Sequence, residues 1–310
     1  MKILITGGAG YIGSVLTEKL LNKNYKVTVI DNFMFSQKSL NHLMHNKNLK
    51  VENNDIRNTF NFKTLINKND VIIPLAAYVG APLCLKDPVN AHQVNFESNK
   101  YLLKQISNSQ IIIMPTTNSG YGKGDKNGYC DESSKLNPLS KYAKDKVEIE
   151  KILMERENSV SFRLATVFGS SPRMRFDLLV NDFVYKAYFD KYIVLFESNF
   201  RRNYIHVKDV CNAIEMCLEK TDKFKGEIFN VGLSSANLTK LELANKIKEY
   251  IKDFVIIQEN FTKDTDQRDY LVSNKKIEKL GFKPMFSLDD GIKEISKLLI
   301  TFRRFTDGNV

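Results

Sequence analysis

The sequence predicts an α/β protein built on a doubly wound parallel sheet, with a smaller C-terminal α/β lobe. Three observations lead to this fold class. Apolar strands alternate with amphipathic helices from the first residue, a glycine-rich turn follows the first strand, and an aspartate follows the second. Parallel strands need crossover connections, and helices on both faces of the sheet supply them. The length of 310 residues suits about two domains or one large one.

The regular elements are predicted in order from the hydrophobic period of each segment. Buried strands rich in Ile, Leu and Val are expected over residues 2–6, 26–30, 49–52, 70–75, 110–114 and 160–164. Amphipathic helices are expected between them over residues 11–23, 59–67, 88–107 and 139–158. Beyond residue 167 the pattern is mixed, with helices over 176–189, 207–220, 238–251 and 288–300 and strands over 192–196, 203–207 and 254–258.

The chain is basic, with 46 Lys and Arg against 36 Asp and Glu and a formal net charge of +10. Because the lysines are scattered rather than clustered, a general surface bias explains the charge better than nucleic-acid binding does. The excess also suits an anionic substrate such as a nucleotide diphosphate. The apolar runs are too short to span a bilayer and residues 1–8 do not resemble an export signal, so a cytoplasmic protein without a membrane partner is expected.

The cysteines and histidines predict neither disulfides nor a metal site. No CxxC spacing occurs, and the cysteines are expected to be reduced, mostly structural thiols: Cys84, Cys130, Cys211 and Cys217. His42 and His45 lie three positions apart, but no cysteine or carboxylate is placed beside them, so no metal ligand set is predicted.

A glycine-rich turn, Gly7-Gly8-Ala9-Gly10-Tyr11-Ile12-Gly13, joins the first strand to the first helix. Gly7, Gly10 and Gly13 permit a tight turn and a close approach of the backbone to a pyrophosphate. The phosphates would bind at the helix N-terminus, where unpaired N–H groups at Tyr11 and Ile12 and the helix dipole favour an anion. The turn therefore predicts a dinucleotide site.

Asp31 directly follows the second strand. A carboxylate there accepts hydrogen bonds from ribose hydroxyls and repels a 2′-phosphate, and no arginine occupies residues 32–40. NAD is therefore the predicted cofactor in preference to NADP; the alternative is that Asp31 is only a helix cap or turn residue. We predict an NAD-binding domain over 1–166, to which the chain returns around 203–232, and a mainly substrate-binding lobe over 167–310.

Two Tyr-x-x-x-Lys patterns occur, Tyr142/Lys146 and Tyr204/Lys208, about as many as chance would give. Position distinguishes them. Tyr142 and Lys146 share one face near the start of the helix that follows the fifth strand, beside Thr117 at that strand's carboxyl end. Tyr204 falls in a short strand of the smaller lobe, where a structural role is expected.

The group of Thr117, Tyr142 and Lys146 suits hydride chemistry on an alcohol. Tyr142 would take the proton of a substrate hydroxyl, with its phenol pKa lowered by Lys146 and by the positive nicotinamide ring. Thr117 would hydrogen-bond the same oxygen and orient it. The alternative is a surface tyrosine and a strand-end threonine without a catalytic role.

These residues resemble the extended short-chain dehydrogenase/reductase family, and more narrowly its NAD-dependent nucleotide-sugar epimerase/dehydratase branch. The resemblance runs almost end to end. It rests on the turn at 7–13, Asp31-Asn32, Asp55-Ile56-Arg57, Leu75-Ala76-Ala77, Asn95, Thr117 four before Tyr121, Tyr142 with Lys146, and the stretches 163–169, 202–207 and 266–270.

The resemblance implies further site residues. Asn32, Asp55 and Ile56 would bind near the adenine. Leu75, Ala76 and Ala77 would contact the dinucleotide, and Asn95 would support the active-site helix and the nicotinamide ribose. Tyr78, Gly80 and Asn118 would line the sugar pocket.

Arg202 and Arg268 would hold the nucleotide diphosphate, since a guanidinium binds phosphate oxygens in a bidentate way. The alternative is that these arginines form ion pairs with Asp209 or Asp269. The helices at 88–107 and 139–158 would pair in a homodimer.

Departures from the family pattern narrow the expected reaction. Sugar 4,6-dehydratases carry an Asp-Glu pair after the catalytic threonine, where this chain has Asn118 and Ser119, which do not titrate usefully. A cysteine would stand at position 119 in the fucose-nucleotide reductase/epimerases. Oxidation at C4 remains, either transient in a 4-epimerase of UDP- or GDP-sugars or released as a 4-keto product. A dinucleotide-sensing protein without turnover is disfavoured because Tyr142 and Lys146 are both present.

Two stretches, 117–122 and 171–183, are similar to the GDP-D-glycero-D-manno-heptose 4-dehydrogenases of bacterial capsule pathways. That resemblance implies a 4-keto heptose product, a retained dinucleotide, and recycling of NADH by a keto acid such as 2-oxoglutarate.

Overall fold

Parallel strands form the centre of the protein, and helices cover both faces of the sheet they make. The computed structural model describes residues 1–124, 128–259 and 268–302. The strands are β1 (Lys2–Thr6), β2 (Lys26–Asp31), β3 (Leu49–Asn53), β4 (Val71–Pro74), β5 (Ile111–Thr117), β6 (Tyr129–Cys130), β7 (Ser159–Leu164), β8 (Thr166–Phe168), β9 (Tyr192–Phe196), β10 (Arg201–His206), β11 (Glu227–Val231), β12 (Asn237–Thr239), β13 (Val255–Glu259) and β14 (Leu271–Val272).

The helices follow the same alternation. They are α1 (Tyr11–Asn22), α2 (Thr59–Asn67), α3 (Ala81–Lys86), α4 (Pro88–His92), α5 (Ser98–Gln105), α6 (Lys141–Leu153), α7 (Leu179–Tyr185), α8 (Val207–Glu219), α9 (Lys240–Tyr250), α10 (Lys275–Lys279) and α11 (Leu288–Leu298). One π-helical turn, Gln93–Glu97, links α4 to α5, and another, Lys186–Asp190, extends α7.

The central sheet has the strand order β11-β7-β5-β4-β1-β2-β3, and every neighbouring pair is parallel. The chain moves outward from β1 through β2 and β3, and then crosses to the other side of β1 to begin β4. The order therefore reverses between β1 and β4, and open α/β sheets bind ligands outside the carboxyl ends of such strands. The predicted doubly wound fold is confirmed.

Alternating side chains give the sheet two apolar faces. Ile3 and Ile5 pack in the layer that contains α1 and α8, whereas Leu4 points to the layer that contains α2, α5 and α6. Both faces are buried, and this is why these strands are almost continuously apolar.

The sheet opens at its carboxyl edge beside β5. Pairing of β4 with β5 ends at Ile112, whereas pairing of β5 with β7 continues to Thr117. Pro115 has no N–H to donate, and it is tolerated because β4 no longer pairs with β5 at that level. The strand was predicted to end at residue 114, and its extension places Thr117 at the rim of the crevice.

Several other boundaries differ from the predicted ones. Helix α6 begins at Lys141 because Ser140 caps it, with its Oγ accepting the Ala143 N–H at 3.2 Å, and it ends at Leu153 rather than at residue 158. The predicted helix over 88–107 is divided by its π-helical turn. β11 was not predicted as a strand, because Glu227 and Asn230 interrupt its apolar pattern, yet it pairs with β7 as the edge of the sheet.

The C-terminal half builds a second core. β12, β10 and β8 form a three-stranded sheet, and β13 pairs with β9. Helices α7, α9 and α11 pack around these strands. The chain returns to the central sheet through α8 and β11, while β10 itself stays in the smaller sheet.

The structure bears on membrane helices, metal ligands and disulfides. No helix of the described residues combines the length and the apolar character needed to cross a membrane. Within the same residues no three His, Cys, Asp or Glu side chains are grouped for metal binding. The four cysteines are buried and none is in a disulfide.

Candidate active site

The turn between β1 and α1 is tightly packed because Gly7 and Gly13 have no side chains. Gly7 has a φ of +69°, and a Cβ there would lie 2.6 Å from the Ala76 nitrogen. A Cβ on Gly13 would lie 2.2 Å from the Gly7 carbonyl oxygen. Since neither position tolerates a side chain, backbone and helix approach each other as closely as a dinucleotide loop requires.

The N-terminus of α1 is open to an anion. Gly10 is its N-cap and provides no side-chain cap, and the first turn contains no acidic residue. The first intrahelical bond runs from Ser14 N–H to the Gly10 carbonyl at 2.9 Å, so the N–H groups of residues 11–13 precede it. Together with the helix dipole they fit a pyrophosphate.

Asp31 connects this turn to the end of β2. One carboxylate oxygen accepts the Ala9 N–H at 3.0 Å, and the other accepts the Phe33 N–H at 2.9 Å and the Gln37 amide at 3.0 Å. Burial raises the pKa of the carboxyl, and these three hydrogen bonds act in the opposite direction. The prediction placed the residue correctly at the strand end, where remaining lone pairs can accept ribose hydroxyls.

Asn32, Asp55 and Ile56 come together beyond Asp31. The Asn32 amide donates to Asp55 at 2.9 Å, and Arg57 binds the same carboxylate through Nε and Nη2. The hydrogen bonds from Arg57 lower the pKa of Asp55 to about 2. Ile56 is buried. This cluster lies at the carboxyl ends of β2 and β3.

The segment after β4 is fixed by the neighbouring strand and by Asn95. Leu75 and Ala76 donate their N–H groups to the carbonyl and hydroxyl of Thr6, at 2.9 and 3.2 Å. Asn95 is fully buried, and its amide accepts the Tyr78 N–H and donates to the Tyr78 carbonyl, both at 2.9 Å. The side chain of Asn95 therefore supports the loop that carries Ala77, Tyr78 and Gly80.

Thr117, Tyr142 and Lys146 are positioned by β5 and α6. Thr117 is the last residue of β5, and Tyr142 and Lys146 lie one turn apart at the start of α6. Tyr142 is partly exposed, whereas Lys146 is 5% exposed and its Nζ lies 3.5 Å from the Pro115 carbonyl oxygen. Helix α6 thus carries both residues one turn apart, and Lys146 reaches the backbone of β5.

Burial dominates the titration of this pair. It raises the pKa of Tyr142 to about 12, while the charges of Arg268 and Arg175 lower it. It lowers the pKa of Lys146 to about 8, against the influence of Cys84 and Asp145. The expected lowering of the phenol pKa by Lys146 is therefore not found within the protein. The guanidinium groups act in that direction instead.

Comparison with known proteins identifies the family of this chain. A family model described as the NAD dependent epimerase/dehydratase family matches residues 3–232. The chain belongs to this family. NAD is its cofactor, and the side-chain-free cradle, the open helix N-terminus and Asp31 fit that group.

Relatives and solved structures extend over nearly the whole chain of this family member. A putative UDP-glucose 4-epimerase of Methanocaldococcus jannaschii is 28% identical over 308 residues, covering 94% of this chain and 96% of the relative. UDP-glucuronic acid 4-epimerase from Bacillus cereus, in complex with UDP-glucuronic acid and NAD, has a TM-score of 0.85 at 25% identity, covering 97% of this chain and 99% of that one. Pal from Bacillus thuringiensis has a TM-score of 0.87 at 23% identity, covering 97% and 99%, and shows the shared fold.

The second Tyr-x-x-x-Lys pattern of this epimerase/dehydratase-family protein lies in the small lobe. Tyr204 is fully buried in β10, and its hydroxyl has no hydrogen-bond partner within the described chain. Lys208 forms an ion pair with Glu294 at 2.8 Å. These contacts agree with a structural role for Tyr204.

The two arginines predicted at the nucleotide diphosphate lie close together. Arg202 is 1% exposed, and its Nη1 donates to the carbonyls of Arg201 and Arg268. Arg268 donates from Nη1 to the Ser119 hydroxyl. The two aspartates named above as alternative partners of these arginines have other contacts. The carboxylate of Asp269 binds Arg201 at 2.9 Å, and Asp209 accepts the N–H groups of residues 285 and 286. Residues 266 and 267 of the motif lie outside the described part.

One segment of the site had no predicted role. Residues 169–175 cross from the small lobe over the start of α1: Tyr11 donates its hydroxyl to the Gly169 carbonyl at 2.6 Å, and Ser171 donates to the Tyr11 carbonyl at 2.7 Å. The Arg173 guanidinium lies 4.9 Å from the centre of the Phe35 ring, in the loop after β2. In the sequence, only the distinctive composition of residues 171–183 points to this segment. That composition does not indicate contacts with Tyr11 or Phe35, which lie far away along the chain.

Proposed function

We propose that the protein is an NAD-dependent oxidoreductase acting at C4 of a nucleotide-diphosphate sugar. The observation that carries the proposal is the side chain of Asn118, which follows Thr117. Asn118 is 1% exposed, yet neither its amide nitrogen nor its amide oxygen has a hydrogen-bond partner within the described residues. A buried amide without partners costs free energy, which a polar ligand can recover.

An amide binds sugar hydroxyls in both directions but does not titrate. It can donate to one hydroxyl and accept from another, and so it can orient the ring over the nicotinamide site. Elimination of water needs an acid and a base next to Thr117. Asn118 and Ser119 supply neither, and this supports a redox step at C4 without dehydration.

In the proposed reaction Tyr142 removes the proton of the C4 hydroxyl, and Thr117 hydrogen-bonds the same oxygen. The hydrogen on C4 leaves with its electron pair, so the alcohol becomes a ketone; bound NAD⁺ supplies the hydride acceptor. Arg268 and Arg175 provide positive charge that lowers the pKa of Tyr142 and so favours a phenolate. Lys146, one turn away on α6, is the third proposed catalytic residue. Arg268 and Arg202 would hold the diphosphate, while Tyr78 and Gly80 would border the sugar.

For the substrate we propose GDP-D-glycero-D-manno-heptose, oxidised to a 4-keto heptose for capsule polysaccharide synthesis. The resemblance of residues 117–122 and 171–183 to heptose 4-dehydrogenases supports this choice. The NADH formed would be reoxidised by 2-oxoglutarate. A 4-epimerase of UDP- or GDP-sugars is the second candidate, and the names of the relatives from M. jannaschii and B. cereus favour it.

Incubation of the purified protein with GDP-heptose, with and without 2-oxoglutarate, tests the proposal. Mass spectrometry should show a product two mass units lighter, in amounts above one equivalent of enzyme only when the keto acid is present. A product of unchanged mass, formed from a UDP- or GDP-sugar without any acceptor and with inverted C4 by NMR, would establish the 4-epimerase instead.

We further propose a homodimer formed through α4–α5 and α6. Leu85 and Val89 are 67% and 66% exposed at the start of this helical layer, and Leu139 is 41% exposed before α6. Exposed apolar side chains such as these suit burial against a second copy.

A further inference from the structure

Ser119 connects two residues that the proposed reaction uses separately. Its hydroxyl oxygen accepts the hydroxyl of Thr117 at 2.8 Å, and it also accepts Nη1 of Arg268. Its backbone N–H donates to the Thr117 hydroxyl oxygen at 3.1 Å. Arg268 is 149 positions away in sequence, so only the tertiary structure creates this connection.

The position of Ser119 is enclosed rather than superficial. Ser119 is 2% exposed and Asn118 is 1% exposed, in the one-turn 3-10 helix Asn118–Tyr121 that ends β5. A hydroxyl carries a single proton and can accept two hydrogen bonds. In the present arrangement Thr117 and Arg268 both donate to the Ser119 hydroxyl, so the Thr117 proton is directed at Ser119.

Rotation of two hydroxyl protons reverses the hydrogen bond between Thr117 and Ser119 without moving heavy atoms. If Thr117 donates its proton to the C4 oxygen, its own oxygen is free to accept the proton of Ser119. Arg268 would then donate to Ser119, Ser119 to Thr117, and Thr117 to the substrate. Hydrogen bonds in such a chain polarise one another, and a charged first donor strengthens them.

We propose that Ser119 is a positioning residue that transmits the charge of Arg268 to Thr117 and so to the C4 oxygen. The inference rests on the proposed function, because it concerns the oxygen that becomes the ketone. Ser119 itself touches no reacting atom.

The test is a double-mutant cycle on Ser119 and Arg268, measured as the rate of NADH formation on mixing NAD-loaded enzyme with the sugar nucleotide. We expect Ser119→Ala to lower kcat about tenfold with little change in KM, since one charge-assisted hydrogen bond is worth about 1.4 kcal/mol or more. In an Arg268→Met background the same change should lower kcat less than twofold. Ser119→Cys, which keeps the size but is a weak donor, should behave like the alanine variant.

Controls separate this role from a structural one. GDP titration should show unchanged affinity in Ser119→Ala and weaker affinity in Arg268→Met, and Ser133→Ala, in an exposed turn, should match the wild type. Equal effects of Ser119→Ala in both backgrounds, or a full kcat in Ser119→Cys, would overturn the inference. Failure of the wild type to form NADH with any sugar nucleotide would overturn the proposed function, and the inference with it.

Discussion

Tyr142 and Tyr204 have the same sequence pattern and differ in access. Burial raises the pKa of both phenols, and Arg268 lowers both. Tyr204 is fully enclosed in β10, whereas Tyr142 is partly exposed near the start of α6. The structure therefore distinguishes the two residues by the exposure of their side chains.

We expect Tyr142→Phe to lower turnover by a factor of about 10² or more, because the ring remains while the proton acceptor is lost. NAD and nucleotide binding should be retained, as measured by calorimetry. Tyr204→Phe is the matched control, since it removes a buried hydroxyl that has no described partner, and it should keep full activity. Wild-type rates in Tyr142→Phe would require a different base.

Lys146 carries an ammonium in a buried place, and burial lowers its pKa from 10.5 to about 8. Lys146→Met should abolish turnover and raise the free energy of unfolding at pH 7 by about 2 kcal/mol, after allowance for the lost contact with Pro115. Between pH 8 and 10.5 the unfolded wild type binds more protons than the native wild type does, so the stability of the wild type rises with pH in this range. The stability advantage of Lys146→Met over the wild type should therefore disappear toward pH 10.5.

Thermal unfolding of both proteins at pH 7 and pH 10 measures this difference. Lys208→Met is the control, taken from the Tyr204/Lys208 pattern. It removes an ion pair with Glu294, so its free energy of unfolding should equal that of the wild type or be smaller. A Lys146→Met protein less stable than the wild type at pH 7 would contradict the dominance of burial.

At the scale of elements, turns and irregular helix segments place the site. The turn between β1 and α1 depends on positions without a side chain, and the π-helical turn Gln93–Glu97 carries Asn95 under the loop at Tyr78. π-helical turns inside α-helices often occur at functional sites. The sequence predicted the glycine turn, but it predicted a continuous helix where the π turn occurs.

Gly13→Ala should weaken NAD binding about tenfold or more, because its Cβ would lie 2.2 Å from the Gly7 carbonyl oxygen and would force the turn apart. Gly226→Ala is the control. Gly226 has a φ of +76°, and a Cβ there would make only an ordinary contact of 3.6 Å with the Glu157 carbonyl oxygen, so this change should cost about 1 kcal/mol of stability without affecting NAD binding. Fluorescence titration with NADH measures both, and equal NADH affinity in Gly13→Ala would contradict the assignment of the turn.

At the scale of the whole molecule, contacts between distant segments join the two cores. Asn181 is fully buried, and its amide accepts the Gly169 N–H and donates to the Tyr11 hydroxyl at 3.3 Å. Helix α7 of the small lobe is thereby fixed to the start of α1. The crevice is bordered by both lobes because these contacts hold residues 169–175 over the glycine turn.

The exposed apolar side chains of Leu85 and Val89 favour the proposed homodimer. We expect light scattering after gel filtration to give about twice the chain mass of 35.6 kDa. Val89→Asp should shift the protein toward the monomer, because it places a charge at the proposed interface. Val255→Asp is the control: Val255 lies on β13 and is 60% exposed, and its replacement should not change the mass. A wild-type monomer at micromolar concentration would contradict the proposed dimer.

Local sequence determined the six predicted strands of the sheet, the turn at Gly7, the acid at Asp31 and the adjacency of Tyr142 and Lys146. Each depends on spacing within one or two elements, and the geometry of strand and helix converts that spacing into position. The tertiary structure alone decided that β11 completes the sheet, that Arg268 reaches Ser119, and that burial sets the pKa values of Tyr142 and Lys146. Those features join residues more than sixty positions apart or depend on the solvent excluded by the whole fold, which no local pattern encodes.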